Sequence, residues 1–191
     1  MAFLFETDRA IQAAAVLLRA EPSRRMGKLR LLQVLYIADR EVLSETGRSL
    51  LGGRVVAMRH GPRHANVYEL IHGSHADEPK WARHFQRVGR MVVLTDDPGV
   101  MRLSKYEIDK LNTVSDRLAA TDDYDVAELT HQFAEWVKNY SNAAADISPA
   151  IPLADVIDAV GRGADKSALL QDASDEAAFT KLFAEPEHAA R

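Results

Sequence analysis

The sequence predicts an α+β protein that is predominantly helical: a compact helical domain with a small antiparallel sheet, followed by a C-terminal helical extension. Three observations point there. Residues 26–47 carry apolar side chains at helical spacing along their whole length. Short runs rich in β-branched residues, at 54–58 and 90–103, are bounded by Gly and Pro turns. From Ser104 onward the apolar spacing is helical again.

The first helix is expected from Thr7 or Asp8, either of which can cap it, to about Ala20, with Ile11, Ala14, Ala15 and Leu18 on one face and Pro22 forbidding continuation. The second, residues 26–47, organises the rest. Leu29, Leu31, Leu32, Leu35, Tyr36, Ala38, Val42 and Leu43 form an apolar arc, and Arg30, Gln33, Ile37, Arg40 and Glu41 fall opposite it. Asp39 interrupts the apolar arc. A carboxylate there is costly unless donors meet it, so Asp39 is expected to tie the helix to the loop around His60-Gly61-Pro62 or to the start of a neighbouring helix. Gly47 suits the left-handed position that ends a helix.

Arg54 to Met58 then reads as a short strand ended by a turn at His60-Gly61-Pro62, and residues 64–72, with Val67, Leu70 and Ile71, as a short helix closed by Gly73. Trp81 and Phe85 anchor a segment after a polar loop. A hairpin is predicted from residues 90–94 to 100–103 through Asp96-Asp97-Pro98-Gly99. Ser104 and Glu107 form a capping box for a helix that places Ile108, Leu111, Val114 and Leu118 on one side. Asp125 and Glu128 repeat that spacing before a stripe of Val126, Leu129, Phe133, Trp136, Val137 and Tyr140, predicting one helix to about residue 140. Residues 141–152 read as a connector, 153–160 and 167–183 as two further helices, and 185–191 as a frayed end.

The 191 residues, 47% apolar and 27% charged, suit one substantial core or one domain with an appendage. There is no cysteine, which excludes disulfides, thiolate metal sites and a cysteine nucleophile. No apolar run is long enough to span a membrane and no secretory leader is legible, so the expected location is cytoplasmic. The net charge of −4 conceals an asymmetry: residues 24–63 hold nine basic and three acidic residues, residues 121–191 five basic and fourteen acidic ones.

Seven histidines, including the pairs His60/His64 and His72/His75, have neither a His-Glu-x-x-His pattern nor a carboxylate at matching spacing, so no metal is assigned. A Walker-type phosphate loop and a Gly-x-Ser-x-Gly elbow are both missing, and no cofactor is implied. Arg24, Arg25, Lys28 and Arg30, with Arg59, Arg63, Arg83, Arg87 and Arg90 further on, raise the possibility of nucleic-acid binding, against which the acidic pI of about 6.0 argues.

The run Lys28-Leu29 through Leu35-Tyr36-Ile37-Ala38-Asp39-Arg40-Glu41 resembles the central helix of the Panacea domain, the SocA-like antitoxin domain also found in phage-associated proteins. Leu51-Gly52-Gly53-Arg54 with Ala57, His60-Gly61-Pro62, Val67-Tyr68-Glu69-Leu70, Leu103-Ser104 with Leu111, and His131 with Trp136 are similar to its later landmarks, in the same order. Gly53 and Arg63 depart from the pattern, where an acidic residue and a small or apolar one are expected. The resemblance spans residues 17–140, dividing the chain into a Panacea-like domain at 1–140 and a helical extension at 141–191.

The resemblance implies a non-enzymatic module of a toxin–antitoxin pair, which binds a protein toxin encoded by a neighbouring gene and in one type delivers it to a protease such as an AAA+ unfoldase complex. It identifies Lys28, Tyr36, Asp39, Arg40, Gly61, Pro62, Val67, Tyr68, His131 and Trp136 as fold-defining motif residues. The partner-binding candidates are Arg54, Arg59, His60, Arg63 and His64, as exposed basic residues beside the Gly-Pro loop. The alternatives are a DNA-binding regulator of its own locus and an enzyme with a scattered histidine site.

Overall fold

The structure, a computed structural model, describes residues 1–140 and 148–183. Helix α1 (Thr7–Ala20) and helix α2 (Lys28–Thr46) pack together, joined by strand β1 (Arg25–Gly27). Thr7 does not cap α1. It is the first helical residue after Glu6, and its hydroxyl donates to Asp77 Oδ2 at 2.7 Å. Helix α2 ends as its sequence requires, with Gly47 at φ +74° and its N–H on the Leu43 carbonyl.

The wheel of α2 misleads in one respect. Arg30, Gln33 and Ile37, placed opposite the apolar arc by their spacing at about 100° per residue, are buried. Neighbours surround the helix: α1, α5 (Lys105–Leu118), α6 (Asp123–Thr130), strand β3 (Gly61–His64) and α8 (Leu153–Ala159). The polar side chains are used at those contacts. Arg30 donates to the carbonyls of Leu118 (2.5 Å), the last residue of α5, and Thr121 (2.8 Å), tying the chain that leaves α5 to α2.

Strand β2 (Val55–Met58) pairs antiparallel with β3, Val55 opposite His64 and Met58 opposite Gly61. The Gly-Pro pair therefore lies in a strand, and the turn is Arg59-His60 just before it, a correction to the expected turn at His60-Gly61-Pro62. Gly61 takes φ +95°, and a Cβ on it would come within 2.1 Å of Thr130 Oγ1, so both backbone and space demand glycine. Helix α3 (Ala65–His72) follows, closed by Gly73.

The second hairpin also differs from the expected one. Strand β4 (Phe85–Val88) pairs with β5 (Met91–Leu94), and β5 with β1, giving the order β1-β5-β4. Gly89, at φ +60°, opens the two-residue turn. Residues 100–103 form no strand because other partners hold them: the N–H of Arg102 donates to Gln12 Oε1 (2.7 Å) and that of Leu103 to the Val100 carbonyl. Trp81 lies on a short helix, α4 (Glu78–Ala82), stacked on Phe85.

The Ser104/Glu107 capping box forms as expected at the head of α5. The long helix predicted from Asp125 does not. Asp122 caps α6, which stops at Thr130, and α7 (Ala134–Asn139) starts after a break. Leu129 and Val137 of the predicted stripe are exposed; the break instead turns Glu135 into the interior.

Part of the predicted connector is strand β6 (Ala150–Ile151), which pairs with β2 and completes the order β3-β2-β6. Its residues 141–147 and the predicted frayed end at 185–191 lie outside the described residues. Helix α8 and helix α9 (Lys166–Phe183) follow, separated by a 3-10 turn at Gly163–Asp165. The fold is α+β and mainly helical, and its small antiparallel content is divided between two three-stranded sheets. The main core joins α1, α2, α5 and the β1-β5-β4 sheet; a second cluster joins Leu43 and Ala57 to Ile151, Val156, Ile157 and Leu169.

Candidate functional site

The polar interior of the molecule is built on one face of α2. Asp39 Oδ1 accepts from the Ser49 hydroxyl (2.8 Å), the Leu50 N–H and the Leu51 N–H (3.1 Å). Its other oxygen lies 3.1 Å from His64 Nε2, and His64 Nδ1 is 3.2 Å from the Gly52 carbonyl. Burial alone would raise the Asp39 pKa; His64, Ser49 and Leu51 outweigh it and hold the carboxyl below its ordinary value. The pair thus clamps the segment after α2, and strand β3, onto the helix. The expected partner at His60-Gly61-Pro62 belongs to Gln33 instead, which donates to the His60 carbonyl at 2.7 Å.

Tyr36, one turn before Asp39, and Arg40, the residue after it, both donate to Glu135 Oε1, from Tyr36 OH (2.9 Å) and Arg40 Nε (2.8 Å), and Arg40 stacks over Phe133 with its guanidinium 4.2 Å from the ring centre. Burial, then Glu135, pushes the Tyr36 pKa well above its usual value. Glu135 is 1% exposed, and its Oε2 has no hydrogen-bond donor among the described residues. Sequence reasoning missed Glu135, because an unbroken helix would put it beside the exposed residues; the break at 131–133 has no clear local signal. Arg40 reaches on to the Ala159 carbonyl of α8 at 3.3 Å, linking this network to the C-terminal layer.

Above the network opens a cleft of about 410 Å³, lined by Asp39, Arg40 and His64 and by apolar Phe3, Leu43 and Ile151. The motif residues His131 and Trp136 form a separate stack with Tyr140: His131 on Trp136 at 4.2 Å and Trp136 on Tyr140 at 4.4 Å, with Trp136 Nε1 donating to the Met58 carbonyl. Val67 is fully buried in the main core, and Pro62 is buried opposite Ala57.

The five partner-binding candidates separate. Arg54 is exposed and paired with Glu69 at 2.8 Å; Arg59 is exposed at the hairpin turn; His60 is half-buried with its ring edge-on to Tyr124. Burial, then Arg59 and Arg63, lowers the His60 pKa. Arg63 and His64 are only 7% and 1% exposed, which corrects their placement on an exposed surface: strand β3 is sandwiched between β2 and α2, so its side chains face inward or into a recess. Tyr68, from the motif set, lies under the Arg63 guanidinium in that recess; His72, not expected there, stacks on Tyr68 and meets Lys28 Nζ, and exposed Arg87 lies near enough to act on His72.

Among the described residues no three His, Asp or Glu side chains converge as metal ligands, and no helix is long and apolar enough to cross a membrane. No curated protein and no solved structure matches the chain. Its residues 31–137, more than half its length, match the family model described as Antitoxin SocA-like, Panacea domain. The matched region holds every residue of the Asp39 clamp and of the Glu135 network, and the chain belongs to the SocA-like antitoxin family defined by the Panacea domain.

Proposed function

We propose that this protein is an antitoxin-type binding module, not an enzyme, which neutralises a cognate protein toxin in the cytoplasm by direct contact and delivers it to a protease. The family match over residues 31–137 carries the reading. The geometry agrees with it. Asp39 and His64 are engaged in clamping a loop and a strand, and Glu135 in holding α2 to α7, so the interior polar groups act as scaffold. Arg59, Arg54 and His60 remain as contacts on the surface beside the β2–β3 turn, and the layer from β6 to α9 is an extension that buttresses the matched domain.

Coexpression tests the reading. A small reading frame adjacent to this gene should arrest growth alone, and this protein should restore growth and copurify with the product. An absence of any toxic neighbour, or of rescue, would remove the proposal. Delivery to a protease predicts that the toxin's half-life shortens in the presence of this protein and recovers in a host lacking AAA+ proteases; simple blocking leaves it unchanged.

A further inference from the structure

We infer that Arg63, Lys28 and Arg87, gathered around Tyr68 and His72, form a recessed receptor for a carboxylate side chain presented by the protein partner; the inference rests on the binding-module reading above. Many cations elsewhere in the molecule are paired with a carboxylate. Arg40 meets Glu135, Arg30 meets Asp123, Arg117 meets Glu41, and Lys110 meets both Glu41 and Glu45. Among the described residues, no carboxylate lies within ion-pair distance of Lys28, Arg63 or Arg87, nor of Arg24, Arg25 and Arg90 on the adjoining β1-β5-β4 sheet.

Arg63 is the decisive residue. It is only 7% exposed, its Nε has no hydrogen-bond acceptor among the described residues, and its guanidinium lies 5.1 Å from the centre of the Tyr68 ring. Burial disfavours its charge, and Tyr68 is the one group that offsets this. A buried cation without an anion is costly unless a ligand supplies the anion. A planar guanidinium is also the group best matched to the two oxygens of a carboxylate.

The rest of the recess keeps positive charge available. His72 stacks on Tyr68 at 3.9 Å and lies with Nδ1 2.8 Å from the Tyr68 carbonyl, so that Nδ1–H donates and Nε2 accepts from Lys28 Nζ at 3.3 Å. A neutral imidazole therefore holds the ammonium in place without cancelling its charge. Burial, then Lys28, Arg87 and Arg63, opposes protonation of His72, in spite of its bond to Tyr68. Among the described residues, the C-terminal carboxylates are engaged elsewhere: Asp155, Asp158, Asp165 and Glu176 pair with Lys138, Lys166, Arg162 and the Leu4 N–H. A protein carboxylate is favoured over a nucleic-acid backbone because the recess buries a single guanidinium and the whole chain carries −4.

The test uses the full chain, a hexaglutamate peptide, a hexaglutamine control and a short DNA oligonucleotide at low salt. Hexaglutamate should bind, hexaglutamine should not, and the Arg63 Nε–H resonance should move on titration. Arg63→Met and Lys28→Gln should each weaken binding about ten- to a hundredfold, the range for a charge-assisted hydrogen bond. Arg63→Met should melt no lower than the parent, since it removes an uncompensated charge and preserves volume; if it unfolds, Lys28→Gln at the surface carries the binding test. Equal hexaglutamate binding by parent and variants, no binding at all, or tighter binding of the oligonucleotide would each overturn the proposal. Growth rescue separates the two readings: toxin neutralisation untouched by Arg63→Met removes the receptor alone, while peptide binding through Arg63 without any rescue removes the toxin reading alone.

Discussion

Asp39 illustrates how a single side chain can hold three segments. Its carboxylate takes two backbone N–H groups and a hydroxyl from residues 49–51 and faces His64 on β3. Asp39→Ala leaves those donors buried and unpaired, and should destabilise the protein by about 3 kcal/mol or more in urea unfolding. The pH dependence follows from the same contacts. The folded pKa lies below the unfolded value of about 3.9, so the stabilisation is complete above that value and is lost as pH falls through the folded pKa. The stability gap between the parent and Asp39→Asn should therefore narrow in acid, below about pH 4. Gly61 makes a complementary case. Gly61→Ala must place a Cβ against Thr130 Oγ1 at φ +95°, and should lower stability by about 1–3 kcal/mol, read in the same unfolding experiment.

At the level of elements, helix ends were legible where a local interaction writes them. The Ser104/Glu107 box and Gly47 lie where the sequence places them, because each acts within one turn of its own helix. Pairing between strands was not legible in the same way. Residues 90–94 could pair on either side; Phe85–Val88 wins because Gly89 makes the tighter turn, while Gln12 of α1 takes the Arg102 N–H. The break between α6 and α7 is similarly remote in cause, since what it achieves is the meeting of Glu135 with Tyr36 and Arg40. The C-terminal elements share a core with α2 and β2, so Ile157→Ala should cost about 2–5 kcal/mol and lower a single melting transition; two separate transitions would mark the extension as an independent unit.

Over the whole molecule, the charge asymmetry of the sequence becomes a spatial one. In the acidic part, Asp123 and Glu135 pair with Arg30 and Arg40 of α2, and Asp155, Asp158 and Asp165 with Lys138, Lys166 and Arg162, whereas Arg25 of β1, Arg87 of β4 and Arg90 in the turn before β5 are exposed. Charge reversal at two exposed positions, Arg59→Glu and Arg90→Glu, should change stability by no more than about 0.5 kcal/mol. If the proposed toxin-binding role holds, the same changes should slow association with the toxin and reduce its salt dependence, measured by surface binding kinetics.

The sequence by itself determined the fold class, the central helix, the need for a partner at Asp39 and the family, because periodicity, caps and an ordered set of motifs are local properties. Only the tertiary structure decided which partner Asp39 takes, that Glu135 is interior, that Arg63 lies recessed without an anion, and which strands pair. Those outcomes depend on contacts between residues far apart in the chain: Tyr36 finds Glu135 ninety-nine positions away, and Arg40 finds Ala159 at a separation of 119. No window of sequence contains both ends of such a contact, whereas the folded chain brings them within hydrogen-bond distance.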